Sequence, residues 1–306
     1  MSSAPDSTRM PYELSVEEIQ LYVAPLIDLG NSKPRNFSWI KRWVLANSIF
    51  VEFDGFAPVL VNGLREPLNT QAIIRKELPA DIGGLMPRLY GDFIIRDTHF
   101  IVMNVPAGKP AEDSSRLDEI ALALLELDRL FREYWDKKPL PKGIAKTTLD
   151  LSPLEKMVEI DKSGRIAELV DKLVEVPLEK LTEYPTGIIH GDPGLDNAFI
   201  SADGVVFTDG PCEFGPEIVD IAYLLQSAAA TLECFDPEPA IIALANHYGK
   251  PIDEFREDLF LADIAAHINI IGWFGHCSEE LLCDYSDLYG HLLDERLEAL
   301  RKLIIE

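Results

Sequence analysis

The hydrophobic pattern of the chain changes its period once, and this change limits the folds that the chain can adopt. Between residues 39 and 104, apolar residues form short strand-like runs separated by turn signals such as Asp54-Gly55. One short helix interrupts them, in NTQAIIRKEL, with Asn69 or Thr70 predicted as its cap. From Leu117 onward, apolar residues recur at helical spacing. The sequence therefore predicts an α+β protein in which a small sheet precedes a mainly helical part.

The stretch VPAGKPAEDS, rich in Pro, Gly and Ala, separates the two patterns and reads as a linker. We therefore place a domain boundary there, with residues 1–105 as a small lobe and residues 106–306 as a helical lobe. After a polar stretch at residues 187–214, breaks at Pro and Gly divide the C-terminal part into predicted helices. These helices are Glu217–Leu232, Glu238–Tyr248, Ile252–His276 and Glu280–Ile305.

The charge balance excludes some classes of partner. The formal net charge is −24, and residues 107–306 carry eighteen Lys and Arg against forty Asp and Glu. Such a field repels nucleic acid and anionic membranes, although solubility alone would also account for it. We expect no membrane span, because no apolar run is long enough, and no secretory signal at the N-terminus. Four cysteines without CxxC spacing argue against zinc and disulfides, so we expect a cytoplasmic protein. The sequence does not indicate an oligomeric state.

The polar stretch GIIHGDPGLDNAFISADGVVFTDGPCEF, residues 187–214, is the strongest candidate for a functional site. IIHGD ends a strand at Asp192, and NAFIS and VVFTD form a hairpin that ends on Asp209, so the topology brings Asp192, Asn197 and Asp209 together. A carboxylate can accept a proton from a hydroxyl. An amide oxygen and a second carboxylate suit Mg²⁺. One base and two metal ligands are the minimum set for phosphoryl transfer. The alternative, that these residues only cap turns, explains an isolated Asp better than this ordered set.

This stretch resembles the catalytic loop of the aminoglycoside phosphotransferase-like small-molecule kinases, which share the protein-kinase fold. Their H-G-D-x-x-x-x-N motif is matched by His190, Asp192 and Asn197, and their metal-binding Asp by Asp209 in FTDGPCE. The resemblance implies Asp192 as the base and Asn197 and Asp209 as Mg²⁺ ligands. It implies that His190, and Asp220 in FGPEIVDIAYLL, support the site structurally.

Two further segments are similar to the nucleotide side of the same family. FIVMNVPAGKP looks like the strand, hinge and linker at which adenine bonds to the backbone, here at Met103, Asn104 and Val105. LMPRLYG resembles the segment that follows the small-lobe helix. The resemblance implies a bilobal protein-kinase-like fold with a small β-rich N-lobe and a larger, mainly helical C-lobe. It also implies ATP and Mg²⁺ as cofactors.

The chain departs from the family pattern in the small lobe. The family's Lys on the third strand is missing from APVLVNGL, and the following helix offers Gln71 where a Glu is expected. Nearby cations are Arg65 and Arg75, with Lys41 or Arg42 on the first strand. We assign Arg65 to the nucleotide side. FTDGPCE also has a glycine in the place of the family's usual aromatic residue.

The primary hypothesis is an ATP-dependent phosphotransferase that moves the γ-phosphate to a hydroxyl of a small molecule. A cationic acceptor is one hypothesis, because residues 210–306 carry nineteen acidic residues against five Lys and Arg; a solvated acidic helix face is the alternative. The residues considered were Glu279, Glu280, Asp284, Asp287, Asp294 and Glu295, with Trp273, Phe274 and Tyr285. Two other hypotheses stay open: a catalytically inactive kinase-fold protein that binds a metabolite or partner, and a cleft that runs different chemistry.

Overall fold

The computed structural model describes the backbone of residues 11–42, 45–66, 68–158 and 164–305, and their side chains except those of residues 41–42, 275–290 and 305. The chain divides into two compact units, each assembled from separate segments. The first unit consists of Met1–Ala111, Glu126–Ala145 and His190–Cys212. The second unit consists of Glu112–Leu125, Lys146–Ile189 and Glu213–Glu306.

A five-stranded antiparallel sheet forms the centre of the first unit. Its strands are β1 (Asn36–Arg42), β2 (Ala46–Glu52), β3 (Val59–Leu64), β4 (Leu89–Ile95) and β5 (Thr98–Asn104), in the order β1-β2-β3-β5-β4. β4 and β5 form a tight hairpin in which Ile95 pairs with Thr98. The strands and the hairpin predicted from the sequence are confirmed.

Each face of this sheet packs against helical segments, because the side chains of a strand alternate between its two faces. One face buries Val59 and Val61 of β3 against a π-helical turn (Ile19–Val23) and α2 (Ala24–Leu26), which follow the short helix α1 (Val16–Glu18). The other face buries Leu64 against α3 (Asn69–Glu77) through Ala72. Asn62 has the same parity in β3 as Leu64, which assigns it to the face that α3 covers.

The predicted cap of α3 is wrong. The residue before the helix is Leu68, which already has right-handed helical dihedrals (φ −69°, ψ −15°), and no side chain caps the helix. Because the preceding turn supplies main-chain acceptors, with Asn69 N–H bonded to Arg65 O at 2.9 Å and Gln71 N–H to Leu68 O at 3.0 Å, the first amides need no side-chain oxygen.

Arg75, on the same helix, is fully buried. Its Nη1 donates to Pro79 O at 2.9 Å, and its Nη2 donates to Ala80 O at 2.5 Å and to Pro87 O at 2.7 Å. Burial lowers the pKa of Arg75 to about 10, which leaves it charged at neutral pH. The structure thus gives this cation a role in holding the loop between α3 and β4.

A second, three-stranded sheet in the first unit carries the polar hairpin. The order is β10-β9-β6, where β6 is Lys109–Pro110, β9 is Ala198–Ser201 and β10 is Gly204–Phe207. The predicted hairpin is confirmed, whereas the predicted linker contains a strand. A Cβ on Gly108 would lie 2.1 Å from Ile200 O, so the close approach of β6 to β9 requires glycine there.

The second unit is mainly helical. It contains part of α4 (Leu117–Trp135), then α5 (Ser152–Val158), α6 (Arg165–Leu173), α7 (Glu217–Thr231), α8 (Glu238–Tyr248) and α9 (Ile252–Ile305). A small sheet, ordered β7-β11-β8, is formed by β7 (Ala145–Lys146), β8 (Thr186–Ile189) and β11 (Glu213–Pro216). Over the part of the chain that the structure describes, no helix combines the length and apolar content that crossing a membrane requires.

The C-terminal helix differs from the prediction of two helices that end and begin near residue 278. α9 is helical throughout Ile252–Ile305. The side chain of Gln226 on α7 nevertheless contacts both halves of α9. Its Nε2 donates to Asp263 Oδ1 at 2.5 Å, and its Oε1 accepts from Arg296 Nη1 at 2.8 Å. A straight helix would separate those two residues by about 50 Å, so the axis of α9 must bend between them.

Candidate active site

The loop after β8 joins two of the predicted site residues. A single 3₁₀ turn, Leu195–Asn197, places the Asn197 side chain back against Asp192. Asn197 Nδ2 donates to Asp192 O at 2.9 Å and lies 3.3 Å from Asp192 Oδ2. Because the amide nitrogen serves Asp192, the oxygen Oδ1 is the end of this side chain that can bind a cation.

His190 is buried behind this loop and fixes it. The Asp192 N–H donates to His190 Nδ1 at 3.3 Å, and His190 Nε2 lies 2.8 Å from Thr208 O. Since a carbonyl only accepts, Nε2 carries the proton. Burial lowers the pKa of His190 to about 4, against a smaller opposite effect of the Thr208 bond. The ring is therefore neutral near pH 7, and its contacts are those of a structural group.

Asp128 also contacts the loop, and the sequence analysis missed it. Its Oδ1 accepts the N–H of His190 at 3.1 Å, and the residue is fully buried on α4. A signal for it exists in the sequence. Asp128 lies four residues after Leu124, on the apolar stripe of the helix, and a carboxylate buried in such a stripe needs a donor.

Asp209 follows β10, and side chains from β3 and α3 donate hydrogen bonds to it. Asn62 Nδ2 of β3 donates to Asp209 Oδ1 at 3.1 Å, and Gln71 Nε2 of α3 donates to Asp209 O at 2.8 Å. Both amide side chains are buried, with exposed fractions of 3% and 7%. Asp209 has a φ of 60°, in the left-handed region that Asp tolerates better than most residues. The strand and helix on which the sequence analysis sought a Lys and a Glu thus carry two neutral amides.

The hairpin itself links the two halves of the site. The Thr208 N–H donates to Asn197 O at 2.8 Å, and β9 pairs with β10 in the register Ala198 to Phe207. Asn197 and Asp209 therefore flank the same end of the hairpin. The structure brings Asp192, Asn197 and Asp209 into one part of the first unit.

The His190 ring explains why a glycine, Gly210, follows Asp209 where the family pattern has an aromatic residue. A Cβ at this position would lie 2.7 Å from Cδ2 and 2.8 Å from Cγ and Nε2 of the His190 ring. Only a residue without a side chain fits against that ring. The structural histidine thus determines which residue can follow Asp209.

The predicted hinge lies at the end of β5. Met103 pairs with Leu60 on one side and with Leu89 on the other. The Asn104 N–H donates to Arg88 O at 3.0 Å, its Oδ1 accepts from the Arg88 N–H, and its Nδ2 donates to Val105 O at 3.2 Å. The Asn104 side chain therefore fastens the segment rather than projecting from it.

Arg65 lies directly after β3, in an ion pair of 2.7 Å with Asp97. Asp220 is buried in the first turn of α7 and belongs to the second unit.

Of the acidic residues predicted to bind a cationic acceptor, Asp294 pairs with Arg165 at 2.8 Å. Glu279, Glu280, Asp284, Tyr285 and Asp287, and the side chains of Lys41 and Arg42, lie outside the residues whose side chains are described.

The residues around Asp209 fit a hard divalent cation. Among the described residues, no cluster of three or more His, Cys, Asp or Glu forms a closed metal cage. An open site with one carboxylate and one amide oxygen suits Mg²⁺, which retains waters and takes substrate phosphates as ligands. Asn62 Oδ1 is a buried acceptor without a hydrogen-bond partner, beside the carboxylate of Asp209. Such an oxygen can accept a hydrogen bond from water on a cation.

No protein-family model matches the sequence, and no curated protein matches it. Solved structures are similar to the chain along most of its length. A choline/ethanolamine kinase family protein from Mesorhizobium loti has a TM-score of 0.67 at 13% identity, covering 94% of each chain. An ethanolamine kinase from Plasmodium vivax has a TM-score of 0.65 at 16% identity, covering 94% of this chain and 90% of that one.

A variant of aminoglycoside 2′-phosphotransferase-IIIa, solved with GDP, has a TM-score of 0.62 at 14% identity. The match covers 93% of this chain and 97% of that one. At these identities the likeness concerns the fold. The chain therefore has the α+β, protein-kinase-like fold of the aminoglycoside phosphotransferase-like small-molecule kinases, as the sequence predicted.

Proposed function

We propose that the protein is an ATP-dependent phosphotransferase that moves the γ-phosphate of ATP to a hydroxyl group of a small molecule. The observation that carries this proposal is the joint placement of Asp192, Asn197 and Asp209 at one end of the hairpin. A turn-forming role would need none of the buried hydrogen bonds that fix these three residues. The fold of small-molecule kinases supports the same reading.

Asp192 is the proposed base. Its carboxylate Oδ2 lies 3.3 Å from Asn197 Nδ2, and its main chain is tied to Asn197 and His190. These bonds orient the carboxylate, which would accept the proton of the acceptor hydroxyl as the hydroxyl oxygen bonds to the γ-phosphorus and the bond from that phosphorus to ADP breaks. Asn197 Oδ1 and the Asp209 carboxylate would hold Mg²⁺. When bound, the metal neutralises the charge of the phosphates during transfer.

The residues that we propose to bind the nucleotide all belong to the first unit. The main chain of Met103, Asn104 and Val105 would bind the adenine edge, and Arg65 would supply positive charge to the phosphates. Arg65 is paired with Asp97, which is largely exposed, so phosphate has to compete with a carboxylate that can return to water. His190 and Asp220 would support the site without touching substrate.

The predicted lobe boundary at residues 105 and 106 and the predicted cytoplasmic location belong to the same proposal.

The acceptor is proposed to be a cationic hydroxyl compound. Ethanolamine, choline and aminoglycosides, after which the similar kinases are named, all combine positive charge with hydroxyl groups. The excess of acidic residues after position 210 provides complementary charge.

Calorimetric titration of ATP with Mg²⁺ into wild type, Asp209→Asn and Asp192→Ala tests the proposal. We expect wild type and Asp192→Ala to bind, and Asp209→Asn to bind much more weakly, because Asp209, unlike Asp192, is proposed to hold the metal. A screen of amino alcohols, aminoglycosides and neutral sugars then identifies the acceptor, with Asp192→Ala as the inactive control. If wild type does not bind ATP at millimolar concentration, the phosphotransferase proposal is wrong and the inactive binding protein becomes the better hypothesis.

A further inference from the structure

Asp209 is held by two side chains whose chemical type the proposed function does not explain. Asn62 and Gln71 come from different elements, β3 and α3, and lie 147 and 138 residues from Asp209 in the sequence. One donates to the carboxylate and the other to the main-chain carbonyl of the same residue. Two independent bonds to one residue restrain both its side chain and its backbone.

The amide donor of Asn62 has a consequence for the charge of Asp209. A carboxylate has about four lone-pair sites, and Asn62 occupies one on Oδ1 at 3.1 Å. Because the amide is neutral, it orients the carboxylate without cancelling its negative charge. An ammonium group at this position would orient it equally well but would oppose the approach of a divalent cation.

Gln71 acts on the backbone of Asp209. The residue has a φ of 60°, which most side chains disfavour, and Gln71 Nε2 bonds to its carbonyl at 2.8 Å. Since Gln71 is nearly fully buried, water cannot easily replace this donor. The bond therefore stabilises the backbone conformation from which the Asp209 carboxylate projects.

A second observation points to a ligand beside this pair. Donation of Nδ2 to the carboxylate fixes the orientation of the Asn62 amide, and its Oδ1 is then buried without a hydrogen-bond partner. The two ends of an amide are about 2.3 Å apart, so this oxygen lies at most about 5.5 Å from Asp209 Oδ1. Buried acceptors in native proteins are nearly always satisfied, and water bound to a cation on Asp209 is a donor of suitable chemistry.

We propose that Asn62 and Gln71 are positioning residues for the divalent cation: they hold Asp209 in its metal-binding orientation and, being neutral, do not themselves cancel its charge. This inference rests on the proposed function, since it assigns the metal to Asp209. It goes beyond the proposed function by predicting that metal affinity also depends on two neutral side chains outside the catalytic loop.

Binding of Mn²⁺, followed by the electron paramagnetic resonance signal of the free ion, measures the effect without relying on activity. We expect Asn62→Leu to weaken Mn²⁺ binding by about 10-fold to 100-fold, the usual effect of removing a residue that orients a metal ligand. Gln71→Met should weaken it in the same direction. Gln71→Met also tests the proposal if Asn62→Leu does not fold.

Asn47→Leu is the matched control. Asn47 lies on the neighbouring strand β2, opposite Gly63, and is 2% exposed. Like Asn62 it has a buried Oδ1 without a partner, but its Nδ2 donates to Tyr12 O at 3.1 Å instead of to Asp209. Its replacement should lower the melting temperature as much as Asn62→Leu does and leave the Mn²⁺ affinity unchanged.

Asp209→Asn separates the two possible failures. If wild type and Asp209→Asn bind Mn²⁺ equally, or neither binds it, the metal site of the proposed function is wrong. If Asp209→Asn loses affinity while folded Asn62→Leu and Gln71→Met bind like Asn47→Leu, the metal site is correct and the positioning role is overturned.

Discussion

Replacement of Gly210 by alanine tests whether the His190 ring sets the residue that follows Asp209. The added Cβ would lie 2.7–2.8 Å from three atoms of the ring, whereas ordinary carbon contacts begin at about 3.4 Å. The ring cannot simply move away, because its Nε2 bonds to Thr208 O, its Nδ1 accepts from Asp192, and it packs edge-on against Phe207. We therefore expect a loss of about 1–3 kcal/mol in the free energy of unfolding, the range found for overpacked cores.

The matched control is Gly91→Ala on β4. A Cβ on Gly91 would also meet an atom at 2.7 Å, but this atom is Cδ2 at the end of the Leu26 side chain. A leucine can change its side-chain rotamer at modest cost, so this variant should lose well under half as much stability. Urea denaturation followed by circular dichroism measures both variants against wild type under identical conditions.

The proposed rigidity of the His190 ring is refuted if Gly210→Ala is as stable as wild type to within about 0.5 kcal/mol, or if both alanine variants lose equal stability. Either result would mean that the His190 ring yields as easily as a leucine methyl group. His190 would then not be the rigid support of the loop that its hydrogen bonds indicate.

Two further predictions concern a buried histidine and a buried arginine. Because the pKa of His190 is about 4 in the folded chain and about 6.5 when unfolded, its contribution to stability should be complete above pH 6.5 and fall by about 3 kcal/mol as pH drops to 4; an unchanged pH dependence of the urea midpoint in His190→Gln would contradict this. Arg75→Met should cost about 3 kcal/mol or more by leaving three main-chain carbonyls without their donor. Replacement of the adjacent, exposed Lys76 by Met should cost less than about 0.5 kcal/mol. Urea denaturation of both variants measures the difference.

The sequence was sufficient to predict the parts of the fold that depend on local patterns. The strands of the small sheet, the β9–β10 hairpin and the long helix α4 follow from hydrophobic periodicity and turn residues, whereas the number and order of the strands come from the structure. The grouping of Asp192, Asn197 and Asp209 was predictable for a similar reason, since all three flank one short hairpin. Their chemical roles stay predictions.

The contacts that complete the site could not be predicted in this way, because they join residues far apart in sequence. Asn62 and Gln71 are ordinary amides whose partner is more than 130 residues away, and no local pattern indicates a contact. β6 was missed since two residues on their own carry no strand signal, and its pairing depends on β9. The cap of α3 was mispredicted because the preceding turn, rather than a side chain, satisfies its first amides.

The assembly of the first unit from three separate segments constrains the order of events during synthesis. At about 5–20 residues per second, the ribosome needs roughly 5–20 seconds to advance from Ala111 to Cys212, the end of the third segment. Throughout that interval Asn62 and Gln71 have no Asp209 to bind, and β6 has no β9. A nascent chain of this length therefore contains every strand of the five-stranded sheet but neither strand of the β9–β10 hairpin, so Asn62 and Gln71 lack this partner until translation reaches Asp209.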